Sequence, residues 1–176
     1  MTDYAARRAR LAAQMLPGAV AVLPTAPEVP RNGDSDYPYR HDSYFYYLTG
    51  FTEPEAVLVL VAGAPGEGGD RSILFCRPKH EEREIWDGIR LGPEAAPQTL
   101  GVDEAYSVTE LETQLPKWLE NKSAVWFPFA IHDGLAARVE GWLSQVRARV
   151  RLGAICPARQ MDACTLLDEM RLRSEE

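Results

Sequence analysis

The amino-acid sequence predicts an α/β fold, and three observations carry that reading. Two short apolar runs, AVLVLVA at 56–62 and SILFC at 72–76, read as buried strands. Further on, Leu135, Val139, Trp142, Leu143 and Val146 recur at the spacing of one helix face. Strand-like and helical segments alternate along the chain, as they do in layered α/β proteins. A length of 176 residues suits one domain that can bury a real core.

The elements follow in order. Residues 4–16 are rich in Ala, Arg, Leu and Met, which favour helix, with Leu11 and Met15 on one face and Pro17-Gly18 as the stop. Residues 19–23 form a short apolar strand, and Pro24, Pro27 and Pro30 then set an extended loop. The runs at 56–62 and 72–76 are joined by a Gly- and Pro-containing loop at 63–70, which predicts a hairpin. Residues 77–101 are charged and broken by Pro78, Pro93 and Pro97. Thr109 and Glu112 form a capping-box pattern before Leu111, Leu115, Trp118 and Leu119, and Pro116 is expected to kink or split that helix. Residues 124–127 are a further strand. Asp133 is placed to cap the next helix, 154–157 to form a last short strand, and about 162–172 to form a last helix. Ser174 followed by Glu175 and Glu176 has the form of another helix start, so the domain is read as 1–173, with 174–176 opening a linker into a further domain.

Composition narrows the function. The chain is 45% hydrophobic and 26% charged, the balance of a folded protein. Its net charge of −7 argues against general nucleic-acid or anionic-membrane binding, which need a basic face. The three cysteines, Cys76, Cys156 and Cys164, are odd in number and widely spaced, which points to a reducing cytoplasm. No apolar run is long enough to span a bilayer. His80-Glu81-Glu82 is not a zinc-protease motif, because Glu84 stands where a second histidine is needed; His41 and His132 each have only one Asp neighbour. GxSxG, GxGxxG and P-loop patterns are all lacking. No metal or catalytic site is assigned within the chain.

The segment at 31–51, RNGDSDYPYRHDSYFYYLTGF, gathers most of the tyrosines among Asp34, Asp36, Arg40, His41 and Asp42. It alternates like neither a strand nor an amphipathic helix. Two readings stay open: a partly buried aromatic layer sealing the sheet edge, or a recognition wall of rigid phenols with charge-assisted contacts to peptide groups. Trp86 poses a similar choice within EIWDG at 84–88, between a fold onto the hairpin and exposure at an interface. Stacking of single-stranded nucleic acid on Tyr37, Tyr39, Tyr44 and Tyr46 is disfavoured by the acidic balance.

Four segments carry a resemblance: DSDYPYR at 34–40, LTGFTEPEAV at 48–57, EIWDGIRLG at 84–92, and DEMRL at 168–172 followed by Ser174 and Glu175. In order and spacing the chain resembles, over essentially its whole length, the N-terminal domain of Xaa-Pro aminopeptidase (aminopeptidase P), in the creatinase and prolidase group. A departure is Arg173-Ser174-Glu175 where many members have Lys-Ser-Pro; either can start a helix. The resemblance implies a mixed sheet of about six strands with helices on both faces, a ribonuclease-H-like arrangement. It implies a C-terminal "pita-bread" domain of the same protein, absent from this chain. That domain would hold two Mn²⁺ on two Asp, two Glu and one His and hydrolyse peptides that carry proline at the second position. The present chain would then be inactive alone. It would gate substrate and contribute to a homo-oligomer, with Asp34, Tyr37, Arg40 and Trp86 as candidate walls of the substrate cleft. The alternatives are a prolidase acting on Xaa-Pro dipeptides and a non-catalytic, protein-binding relative of the same fold.

Overall fold

The computed structural model describes residues 3–173, so the helix start read at 174–176 lies outside the described residues. A six-stranded sheet runs through the domain in the order β6-β5-β4-β1-β7-β8. Its strands are β1 (Val20–Pro24), β4 (Val57–Val61), β5 (Arg71–Cys76), β6 (Glu104–Ser107), β7 (Val125–Phe127) and β8 (Gln160–Asp162). β4 is antiparallel to both neighbours, whereas the β1–β7, β7–β8 and β5–β6 pairs are parallel. Five strands therefore end at one edge of the sheet and β4 begins there.

Alternation along the strands builds two cores. Val20 and Val22 of β1, Val57 and Val59 of β4, and Ile73 and Phe75 of β5 pack against α5 (Leu111–Leu119) and α6 (Leu135–Ala148). Ala21, Leu23, Leu58, Leu60 and Leu74 point the other way, onto α1 (Tyr4–Gln14), α2 (Ser43–Thr49) and α7 (Ala163–Leu172). This is why the central strands are continuous apolar runs: both faces are covered. The six-stranded mixed sheet with helices on both faces is the expected architecture.

Several local expectations are corrected. The last strand is not at 154–157. There Asn121 exchanges two hydrogen bonds with Ile155, N–H to carbonyl at 2.8 Å and side chain to N–H at 2.9 Å, and Pro157 has no N–H to donate. Pairing with β7 begins at Gln160 instead. Thr109 does not cap α5; Ser107 accepts from the Thr109 N–H and starts a 3-10 turn at Val108–Glu110 that leads into the helix. Pro116 does not split α5, which continues to Leu119. Gly134, at φ 76°, precedes α6 in place of an Asp133 cap. The charged segment at 77–101 holds two short helices, α3 (Glu81–Asp87) and α4 (Ala96–Leu100), the second with Pro97 in its first turn, where a missing N–H matters least.

The 31–51 segment resolves into two parts. β2 (Pro30–Asn32) and β3 (Ser35–Asp36) form a small separate hairpin. α2 follows, with Asp42 accepting from the Phe45 N–H at 2.8 Å and Gly50 at φ 66° closing it. A side chain at Gly50 would also stand 2.6 Å from the Tyr4 ring, so glycine is required twice over.

Candidate functional site

The carboxyl edge of the parallel strands is where ligands collect in open α/β sheets. From that edge β1 sends out the hairpin at 30–36, β5 sends out α3, and β7 sends out the loop that holds His132. Because β1 and β5 are separated by β4, the roots of the first two lie two strand spacings apart, roughly 10 Å.

Asp34 sits at the tip of the hairpin. Asn32 Oδ1 accepts from the Asp34 N–H at 3.1 Å and from the Ser35 hydroxyl at 3.0 Å, an Asx turn that fixes the tip backbone and leaves the Asp34 side chain exposed. Tyr37 closes the hairpin through its N–H to the Val29 carbonyl at 2.9 Å. Its ring is 54% exposed and lies 5.9 Å below the Arg31 guanidinium. Arg40 is exposed three residues later. Asp34, Tyr37 and Arg40 thus share one projecting segment, whereas Trp86 belongs to another. α3 has no buried residue, and Trp86 is 86% exposed beside Ile85 at 78% and Ile89 at 84%.

The other tyrosines of the segment are structural. The Thr25 hydroxyl donates to the Tyr39 oxygen at 2.8 Å, and Tyr39 donates onward to the Ala26 carbonyl at 3.0 Å. Burial holds the Tyr39 phenol above its ordinary range, against the lowering effect of the Thr25 bond. Tyr44 donates to Asp168 on α7, which together with desolvation pushes its phenol up to about 12. Tyr46 stacks on His41 at 4.3 Å, and Tyr47 is buried under the Arg7 guanidinium at 4.1 Å. These rings tie α2 to its neighbours and are not a row of open stacking platforms.

Inside the edge lies a recess of about 460 Å³, lined among others by Thr25, Glu28, Val57, Leu111, His132 and Arg138. None of Asp34, Tyr37, Arg40 or Trp86 lines it. His132 Nε2 is 3.8 Å from Asp42, and burial depresses the imidazole pKa while Asp42 opposes that shift. Among the described residues no three His, Cys, Asp or Glu side chains converge in a way that could hold a metal ion. Sequence reasoning passed over Ile85 and Ile89, which extend the Trp86 patch. It also passed over Glu53 and Arg77, which pair at 3.5 Å, and Arg90, which donates to the Pro78 carbonyl, all at the roots of α3. Glu53 and Arg90 do lie inside two of the four segments that carry the resemblance.

The fold is that of bacterial aminopeptidase P structures. That of Pseudomonas aeruginosa aminopeptidase PepP superposes with a TM-score of 0.87 and 39% sequence identity, over 93% of this chain and 36% of that one. Residues 4–126 match the family model for the aminopeptidase P N-terminal domain, and the chain belongs to that family. It is 40% identical over 170 residues to the Xaa-Pro aminopeptidase of Escherichia coli and 46% identical over 130 residues to that of Haemophilus influenzae. Those alignments cover 97% and 74% of this chain but only 38% and 30% of the two relatives. The chain therefore spans less than two fifths of the length of these relatives.

Proposed function

We propose that the chain is the substrate-gating and oligomerisation domain of a metal-dependent Xaa-Pro aminopeptidase, a cytoplasmic hydrolase that removes the N-terminal residue preceding a proline at the second position. The relatives' names support aminopeptidase over prolidase. Three free cysteines suit the cytoplasm, and no helix among the described residues is long and apolar enough to cross a membrane.

The donor set among the described residues does not suit a two-metal centre. The Asp42–His132 pair offers two donors, and no third joins it among the described residues. The two Mn²⁺ and the hydrolytic step accordingly belong, in this proposal, to ligands of the C-terminal catalytic domain of the longer protein. The domain described here supplies walls. Asp34 presents a carboxylate on a fixed turn, suited to a charge-assisted bond with the substrate amine or with a catalytic-domain arginine. Tyr37 adds a rigid face, and the exposed Arg40 adds a guanidinium on the same segment.

The observation that carries the gating role is the exposure of Trp86 on a helix that buries nothing of its own. A large apolar group left in water this way marks an interface. Placed at a neighbouring subunit's cleft, it would cover the residues after proline and exclude water. The direct test is hydrolysis of an Xaa-Pro peptide with Mn²⁺ by the longer protein and by the 176-residue chain. Cleavage before proline by the former and none by the latter is expected. Turnover by the purified short chain, or failure of the longer protein to prefer proline, would contradict the reading.

A further inference from the structure

Hydrophobic burial does not hold α3 in place, because none of its residues is buried. A helix of seven residues is also far too short to persist by its own hydrogen bonds. What holds it is a set of polar contacts at its two roots. On the entering side, the Arg77 guanidinium follows β5, is 9% exposed, and lies 3.5 Å from a Glu53 carboxylate oxygen. Also on that side, His80 Nδ1 accepts from the Arg83 N–H at 3.4 Å and Lys79 lies 3.7 Å from Glu84. On the leaving side, the Leu91 N–H donates to the other Glu53 oxygen at 2.7 Å. The Arg90 side chain, 6% exposed, donates to the Pro78 carbonyl at 3.3 Å and to Asp87 at 3.1 Å.

Two residues therefore close the segment. Glu53, reached from the loop between α2 and β4, bonds a residue before α3 with one oxygen and a residue after it with the other. Arg90 ties the leaving root back to the entering root at Pro78. Both charges are largely buried, where hydrogen bonds to charged groups are strong and their loss is felt.

We propose that Glu53 and Arg90 are positioning residues: a polar clamp that keeps residues 80–91 ordered so that Ile85, Trp86 and Ile89 are presented in a fixed geometry. This rests on the reading of Trp86 as a cleft wall. A preordered wall loses no freedom on engaging substrate, whereas a loose one must be ordered at each binding event. Neither Glu53 nor Arg90 touches substrate; each acts through the backbone that carries Trp86.

Hydrogen exchange on the 176-residue chain, followed by mass spectrometry, tests the clamp without reference to activity. In Glu53→Ala and in Arg90→Lys, which keeps charge and bulk, amides of 80–91 should exchange at least about tenfold faster while those of β4 and β5 stay protected. Glu53→Gln, which keeps an acceptor for the Leu91 N–H, should restore much of the protection. Unchanged exchange at 80–91 in both clamp variants, with the core intact, overturns the proposal. If Glu53→Ala unfolds the core, Arg90→Lys alone decides. In the longer protein, Arg90→Lys should raise KM for peptides extended beyond proline by roughly tenfold or more, with little change in kcat. The same change should add almost nothing in a Trp86→Ala background. An equal loss in both backgrounds shows that Arg90 does not act through Trp86 and overturns the positioning role. Faster exchange at 80–91 with no effect of Trp86→Ala on any peptide would keep the clamp and refute the cleft-wall reading instead.

Discussion

Replacing Arg8 by Met should destabilise the domain more than any surface change of equal size. Arg8 is 3% exposed, yet its guanidinium faces backbone oxygens: it donates to the Leu48 carbonyl at 2.9 Å, to Gly101 at 2.6 Å and to Leu100 at 3.3 Å. These carbonyls belong to the ends of α2 and α4, where no helical N–H remains to meet them. One side chain thus satisfies two helix termini and joins both to α1. Burial lowers the Arg8 pKa, with Asp103 and Asp3 acting against that shift. Met keeps the length of the side chain and offers no donor. A hydrogen bond from a charged group is worth about 1.5–3 kcal/mol. The two shorter bonds, to Leu48 and Gly101, carry most of the loss, and the longer one to Leu100 adds less. Relief of the buried charge offsets part of the loss, so about 3 kcal/mol is expected. For a domain of this size that is a fall in Tm of about 6–12 °C. Urea unfolding followed by circular dichroism, alongside calorimetry, measures it, and Arg8→Lys should fall between the two because one ammonium cannot span both termini. A Tm within about 1 °C of the parent for Arg8→Met would refute the reasoning.

Three further outcomes follow from other sites. Burial depresses the His132 pKa below its ordinary 6.5, so the unfolded chain takes up the proton first. The stability His132 contributes is complete above that value and declines as pH falls below it toward the folded pKa; Tm should fall on acidification from pH 7.5 to 5.5, with a shallower slope in His132→Gln, and equal slopes would contradict this. Burial pushes the Cys76 thiol up to about 12, so native protein at pH 8 should leave Cys76 unalkylated by iodoacetamide while urea-unfolded protein reacts fully; native labelling detected by mass spectrometry would contradict the burial. Asp34→Asn in the longer protein should lower kcat/KM by about tenfold, the loss of one charge-assisted bond, with Tm unchanged; a lowered Tm with unaltered kinetics would make Asp34 a purely structural turn residue.

What was legible in the sequence tracks how each element is buried. β4 and β5 are covered on both faces, so they show as apolar runs, and α6 turns one stripe to the sheet, so Leu135, Val139, Trp142, Leu143 and Val146 show a period. α2 hid because Phe45, Tyr47, Leu48 and Thr49 are buried while Tyr44 and Tyr46 also engage neighbours, leaving no clean polar face. α3 hid for the opposite reason: it buries nothing, so it has no apolar period. β6, at the sheet edge, is half-buried throughout and reads EAYS, too short and polar to stand out. At the site, the sequence left Trp86 open between a fold onto the hairpin and exposure, and the exposed tip at Asp34 follows from the Asx turn of Asn32. The contacts of Glu53 and Arg90 join residues up to 38 positions apart, a pairing that no local pattern encodes.

The gating claim is tested most directly by the ratio of kcat/KM for a long Xaa-Pro peptide to that for an Xaa-Pro dipeptide, measured in the longer protein with and without Trp86→Ala. An interface Trp is worth about 2 kcal/mol or more on truncation, which is roughly thirtyfold. The long-peptide rate should fall by that factor while the dipeptide rate barely changes. Equal ratios in parent and variant, with the same oligomer on gel filtration, would show that Trp86 does not wall the cleft.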